Sequence, residues 1–247
     1  MNALGLRRPP AGAAIGWLRT GFRLFTPSAI PWMGMSAAFF LAAYGMSLIP
    51  MVGSLLLELV SPFLIAAYMA AARAVEQGEP TGLIHAAAGW HRGRQALLAI
   101  GVVYAVAHVA IGQAMVMMGG DAIARLIELA AHPQAMTDPA QAQAVLDKAL
   151  PALLTGAALY TPVLMATWFA PALALFDAFP AGKALYWSLW ACLVNWRPLL
   201  LYGLMLSLLG MLALIIPLGL GLLLFLPLAM TSTYAAYRMQ FVPREAI

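Results

Sequence analysis

The sequence predicts an all-α membrane protein with six transmembrane helices. Three observations carry that reading. Residues of the apolar AVILMFWYC set make up 64% of the chain, charged residues only 9%, and the apolar residues fall in six long runs. A soluble domain carries about 25% charged residues, so thirteen basic and nine acidic side chains in 247 residues cannot cover a globular surface. A mean hydropathy of +0.88 likewise excludes disordered and fibrous classes. The spans consume the length, so residues 1–247 are expected to form a single integral membrane domain.

A spanning helix needs about 20 apolar residues, at 1.5 Å rise across roughly 30 Å of hydrocarbon. Six segments meet that requirement: about 29–49, 53–73, 96–118, 151–175, 199–216 and 218–238. An alternating β-barrel pattern is absent. At the start, Arg7 and Arg8 are followed by Pro9 and Pro10, and Arg19 and Arg23 interrupt what should be an uncharged stretch. That pattern does not open a signal peptide, and residues 1–12 are expected to be a short cytoplasmic tail.

Residues 13–26 follow as an amphipathic helix. Ile15, Trp17, Leu18, Phe22, Leu24 and Phe25 cover one broad side, while Arg19, Thr20 and Arg23 share the other. Such a helix lies in the headgroup plane. Residues 82–95, with Trp90, Arg92 and Arg94, are a second candidate, and residues 182–197, with Trp187, Trp190, Trp196 and Arg197, a third. Each precedes an ascending and a returning span, giving three hairpin-like units. Spans one and two join through Ile49-Pro50-Met51-Val52-Gly53, and spans five and six through Ile216-Pro217-Leu218-Gly219. Proline ends a helix and glycine permits the reversal.

In the middle unit the tight turn is replaced by an outer segment, residues 119–150. It holds Asp121, Glu128, Asp138 and Asp147 against Arg125 and Lys148. Its patterning predicts two short helices around His132–Pro139, forming an outer cap. Orientation follows from basic residues. With the N-terminus inside, the inner side receives Arg7, Arg8, Arg19, Arg23, Arg73, Arg92, Arg94, Lys183, Arg197, Arg238 and Arg244, and the outer side only Arg125 and Lys148. Cytoplasmic loops carry the excess of Lys and Arg, so both termini are expected in the cytoplasm. No Lys/Arg-rich run exists, so no nucleic acid partner is expected.

Catalytic and cofactor motifs are missing: there is no GxGxxG, GxxxxGK[ST], HExxH or GxSxG. No catalytic, cofactor or metal site is therefore expected, and the protein is read as no enzyme. His85 and His91 share an inner loop with Glu76 and Glu79 at no recognised zinc spacing. The single cysteine, Cys192, rules out an internal disulfide and a CxxC zinc site. Polar residues inside spans are functional candidates because burying them in lipid is costly. Glu58 in span two, with His108 and Gln113 in span three, are those candidates. Glu58 and Gln113 are matched in depth, each five residues or so from its outer span end, and are expected to meet across a helix interface. Pro62, Pro162 and Pro171 predict kinks within spans two and four. In the third amphipathic helix, Ser188, Cys192 and Asn195 gather on one face, expected to pack inward. Asn195, Trp196 and Arg197 are candidate interfacial contacts.

A wider set of residues has the look of a known family. It comprises Gly16-Trp17 with Phe22-Arg23-Leu24-Phe25, then Met69 through Val75, and Trp168 through Leu173. Lys183-Ala184-Leu185, Ser188, Ala191-Cys192, Asn195-Trp196-Arg197, Tyr234 and Tyr237-Arg238 complete it. Together these resemble an uncharacterised family of six-span proteobacterial inner-membrane proteins, over nearly the whole chain. The resemblance implies the bacterial inner membrane and carries no established activity, so it assigns no residue a role. A looser similarity runs to membrane regions attached to glycerophosphodiester phosphodiesterases, but no phosphodiesterase domain is present. The expected function is a non-enzymatic membrane component that binds lipid or a partner membrane protein. The alternative is a transporter or permease for a small or amphipathic solute.

Overall fold

The computed structural model describes residues 4–50, 52–131 and 139–243. It is almost entirely helical, and six of its helical stretches are long and apolar enough to cross a membrane. In chain order the helices are α1 (Ala13–Phe25), α2 (Ala29–Ser47), α3 (Gly53–Glu76), α4 (Ala88–His91), α5 (Arg94–Gly119) and α6 (Ala122–Ala131). They continue with α7 (Pro139–Trp168), α8 (Ala170–Phe176), α9 (Ala181–Val194), α10 (Trp196–Ile215) and α11 (Leu220–Gln240). Two three-residue strands, β1 (Leu4–Leu6) and β2 (Phe241–Pro243), flank the set. The chain divides into two compact units, Met1–Val102 with Met165–Ile247, and Val103–Leu164.

The first unit is built around α11, which touches α1, α2, α3 and α10. In the most apolar window of α11, 56% of residues are buried, against 17% for the stretch that contains α1 and α2. Seven consecutive residues of α11, Thr231 to Tyr237, are buried, so the helix is enclosed on every side over these two turns. Its small residues allow that enclosure. Gly21 of α1 sits so close that an added Cβ would lie 2.6 Å from the Ser232 Cα, and Thr231 donates from Oγ1 to the Gly21 carbonyl at 3.0 Å. Small residues let membrane helices approach closely, and each interhelical hydrogen bond adds about 0.6 kcal/mol. The buried stripe of α1 is therefore Ala13, Trp17, Gly21 and Phe25, with Ala14. That stripe differs from the apolar side read from the sequence, because Ile15 and Phe22 are exposed at 53% and 55%. Small residues, which weigh little in hydropathy, mark the contact with α11.

Pro27 ends α1, and one 3-10 turn, Thr26–Ser28, leads directly into α2. On α2, Trp32 is buried, stacks on Tyr68 of α3 at 6.0 Å, and donates from Nε1 to the Leu24 carbonyl at 3.2 Å. The turn to α3 closes through Gly53 N to Ile49 O at 3.0 Å. An added Cβ on Gly53 would collide with the Met46 carbonyl. Met51 in that turn lies outside the described residues. Pro62 leaves the carbonyl of Glu58 without its helical donor, and the Ser61 hydroxyl supplies one at 2.9 Å. The turn from α10 to α11 uses Gly219 at φ 70°, a left-handed conformation that suits glycine.

Two segments expected to form amphipathic helices differ from expectation. Residues 82–95 are not one helix but a 3-10 turn, Leu83–His85, followed by the four-residue α4. Gly82 at φ 146° and Gly93 at φ 78° break it on either side. Residues 182–194 lie in one helix, α9, but Asn195 caps it, and Trp196 and Arg197 already open α10. Span four is also broken, between α7 and α8. Pro171 has no N–H to continue the ladder. Two residues earlier the Ser188 hydroxyl inserts, accepting from Phe169 N at 2.9 Å and donating to Met165 O at 2.7 Å. A polar group lodged in the ladder is a recognised cause of helix kinks.

In the second unit, α5 and α7 meet over small residues. A Cβ on Gly119 would lie 2.9 Å from that of Ala152, and the hydroxyls of Tyr104 and Tyr160 are 2.5 Å apart. Helix α6 carries an exposed Asp121–Arg125 ion pair at its start, at 2.6 Å. The second short helix expected in the cap is instead the first part of α7, which runs through Pro151 and Pro162 without ending. A proline within a helix can kink it without terminating it. Residues 132–138, the centre of the expected cap, lie outside the described residues.

The strands pair antiparallel, with Leu4 opposite Pro243, Gly5 opposite Val242 and Leu6 opposite Phe241. Arg7 N extends the ladder to Gln240 O at 2.8 Å. Residues 4–7 are thus tied to the end of α11, and both ends of the described chain lie on one side of the bundle.

The contact at Gly21 gives a direct test. Gly21→Ala should destabilise the protein by about 1–3 kcal/mol through overpacking against the Ser232 backbone. Gly16→Ala, where an added Cβ meets nothing within 4 Å, should be neutral or stabilising by up to about 1 kcal/mol. Thermal unfolding of both variants in detergent separates the two, and equal effects would contradict the packing described.

Candidate functional site

The last two turns of α11 carry a row of hydroxyls and charges that local helix geometry sends to different neighbours. Residues four apart share a face, so Tyr234 and Arg238 point together toward the end of α3. There the Tyr234 hydroxyl donates to Glu76 Oε2 at 2.6 Å, and Arg238 forms an ion pair with the same oxygen. Arg238 Nη1 lies 3.3 Å from the Tyr234 hydroxyl, closing a three-membered network. Tyr237, one position earlier on the helical turn than Arg238, faces α8 instead. Its hydroxyl donates to Asp177 Oδ2 at 2.6 Å. The Phe176 ring packs against both tyrosines at 6.1 and 5.6 Å, and the Arg73 guanidinium lies 5.1 Å above it.

Glu76 is the last residue of α3 and Arg238 lies in the last turn of α11. Both charges therefore stand where their spans end. Beside them a cleft of about 220 Å³ opens between α1 and α11. Thr20 and Leu24 of α1 line it on one side, Tyr234 and Ala235 of α11 on the other, and Glu76 and Arg238 supply its charge. Trp17, fully buried at its base, donates from Nε1 to the Met239 sulfur at 3.2 Å.

The end of α11 is fixed by Asn195. Its Nδ2 donates to Gln240 Oε1 at 2.8 Å and to the Arg7 carbonyl at 3.2 Å, so one buried amide joins the α9–α10 corner, α11 and the chain start. Deeper in the unit, the Tyr202 hydroxyl meets Ser232 Oγ at 2.7 Å and Thr233 Oγ1 at 3.0 Å.

The residues singled out from sequence are distributed unevenly around this site. Asn195 is buried, with Ser188 and Cys192 on the same inward face of the chain. Trp196 and Arg197 are exposed, the guanidinium lying 5.4 Å from its neighbour's ring. Glu58 is half-buried on α3 in the first unit, far along the helix from Glu76. His108 and Gln113 are exposed on α5 in the second unit, the His108 ring 6.4 Å from that of Tyr104. His85 approaches the Pro80 carbonyl at 3.2 Å. Sequence reasoning missed the cluster of Glu76, Asp177, Tyr234, Tyr237 and Arg238 as a site. The available signal was the four-residue spacing of Tyr234 and Arg238 at a span end, with Glu76 at another.

The arrangement offers binding groups. The Ser188 and Ser232 hydroxyls are engaged in helix contacts, and burial pushes the Cys192 thiol up to about 12, keeping it protonated. Among the described residues no three His, Cys, Asp or Glu side chains come together as metal ligands.

Asp177 has its carboxyl held above the ordinary range by burial, while the Tyr237 hydroxyl, Arg73 and Lys183 pull it back down. A raised folded-state value means that folding favours the protonated form. The stability it contributes is full below the ordinary carboxylate range and is lost as pH rises through the raised value. Asp177→Asn is neutral at every pH, so its melting temperature should gain on that of the wild type as pH rises from about 4 toward neutrality. Parallel melts across that interval check the sign, and a difference that shrinks with rising pH would contradict it.

Comparison with known proteins identifies a curated relative. No known family profile matches the chain, and no solved structure matches it. A probable inner membrane protein of Burkholderia thailandensis is 30% identical over 197 residues, covering 76% of this chain and 70% of the relative. At that identity and coverage, and with six helices long and apolar enough to span a membrane, the chain belongs to this uncharacterised family of multi-pass bacterial inner-membrane proteins.

Proposed function

We propose that this protein is a non-enzymatic component of the inner membrane that binds phospholipid at the cytoplasmic face. The observation that carries this reading is the cleft between α1 and α11, with an arginine, a glutamate and a tyrosine on its walls where two spans end. Helix α1 supports it. Ile15 and Phe22 are exposed beside the exposed Arg19 and Arg23, the composition of a helix lying at the headgroup boundary. In this reading α1 and α9 are interfacial helices preceding the first and last pairs of spans. The loops and α4 before α5 fill the corresponding place in the middle unit. The charge count of eleven basic residues against two supports cytoplasmic termini.

The transporter alternative draws on Glu58, half-buried in α3 one turn before Pro62. Broken spans often line transporter sites. A proton- or sodium-coupled solute flux abolished by Glu58→Leu would favour that reading over lipid binding.

Two experiments test the proposal. Native mass spectrometry of the protein in a mild detergent should find phospholipid retained at defined stoichiometry, and a bare protein, or a retained partner protein with no lipid, would overturn it. Orientation and helix pairing can be read in a Cys192→Ser background. In spheroplasts, a membrane-impermeant maleimide should label Ala124→Cys but reach Gly12→Cys only after permeabilisation. In the same background, cysteines replacing Glu58 and Gln113 should cross-link if those side chains meet, and failure to do so sinks their pairing.

A further inference from the structure

We infer that the cleft between α1 and α11 selects a zwitterionic phospholipid headgroup carrying a primary ammonium. The phosphate is held by Arg238 and the ammonium by Glu76. This inference rests on the lipid-binding reading above and adds the chemical class of the headgroup.

The charges in the cleft lead to that class. Glu76 and Arg238 cancel, so the site is electroneutral while presenting two opposite charges side by side. An anionic headgroup gains from Arg238 but meets the carboxylate beside it. A zwitterion matches both. Neither group is fully used within the protein. Glu76 receives Tyr234 and Arg238 on the single oxygen Oε2, and among the described residues its Oε1 has no hydrogen bond. Arg238 engages through Nη1 alone among the described residues, leaving the rest of a planar donor fork that suits phosphate. The pair is 55% and 36% exposed, and an exposed ion pair is weak enough to be shared with a ligand.

Shape and depth agree. Leu24 and Ala235 supply apolar wall for the carbons nearest the glycerol, and Thr20 adds a hydroxyl. The volume, about 220 Å³, falls below the roughly 300–1,000 Å³ of pockets that enclose a drug-sized ligand. A headgroup fits, and its acyl chains stay in the bilayer. Both charged residues stand at span ends, the level of the headgroups.

The test uses full-length, delipidated protein in detergent, titrated with phosphatidylethanolamine, phosphatidylcholine and phosphatidylglycerol of identical acyl chains, with bound lipid counted by native mass spectrometry. Wild type should hold phosphatidylethanolamine about tenfold more tightly than the other two, the difference made by one charge-assisted hydrogen bond. The trimethylated choline lacks an N–H for Glu76, so this comparison needs no variant. Glu76→Gln should lose most of the ethanolamine preference while keeping or gaining phosphatidylglycerol, and Arg238→Gln should weaken all three. Equal retention of the three lipids by wild type, or an unchanged preference in Glu76→Gln, would overturn the headgroup assignment and leave lipid binding intact. Retention of none would overturn both. Soluble phosphoethanolamine should compete only at far higher concentration, and equal potency would make the free compound, not the lipid, the ligand.

Discussion

Gly21 lets α1 lie directly on α11, and most of the first unit follows from that approach. Helix α11 is enclosed by α1, α2, α3 and α10, and only small side chains leave room for so many neighbours. Thr231, Ser232, Ala235 and Ala236 supply them. Hydroxyls in such a position would be costly if unpaired in a dry interior. Thr231 bonds the Gly21 carbonyl and its own helix, and Ser232 bonds its own helix and Tyr202. The approach also fixes where α1 emerges, and so where the cleft above it opens.

Polar side chains in this protein mostly repair helices and join them. Ser61 takes the carbonyl that Pro62 orphans. Ser188 bridges Met165 and Phe169 at the break between α7 and α8. Asn195 ties Gln240 to the backbone at Arg7. The cluster at the end of α11 is different in kind, since Glu76, Asp177 and Arg238 place charge at the rim of the apolar body. Close by, Ala178 adopts φ 52°, a left-handed conformation that costs a non-glycine residue about 1 kcal/mol. The turn carrying Asp177 therefore holds some strain beside the site.

What the sequence makes legible here is what depends on local composition. Six apolar runs became α2, α3, α5, α7 with α8, α10 and α11, with short links between α2 and α3 and between α10 and α11. The inward face of Ser188, Cys192 and Asn195 was also visible, because helical spacing alone collects it. Long-range partners were not. Leu4-Gly5-Leu6 has no strand signature of its own, and its pairing with Phe241–Pro243 exists only in the folded chain. Glu76 read as a loop carboxylate because its partners Tyr234 and Arg238 lie some 160 residues away. The apolar side assigned to α1 was partly misplaced because alanine and glycine, not large side chains, mark its contact. Residues 82–95 read as a helix until Gly82 and Gly93 took conformations that stop one.

The pairing of Leu4–Leu6 with Phe241–Pro243, and of α1 with α11, has a consequence for how the protein is made. Helix α1 is synthesised long before α11, yet its buried stripe rests on α11, more than 200 residues later. The strand that holds Leu4–Leu6 is synthesised later still. Until α11 is inserted, the stripe of α1 lacks the helix it packs against most closely, and Leu4–Leu6 has no partner strand. The first unit therefore assembles by late closure, with α1 waiting for α11. A chain interrupted before residue 220 would carry most of its spans and lack the element around which they pack.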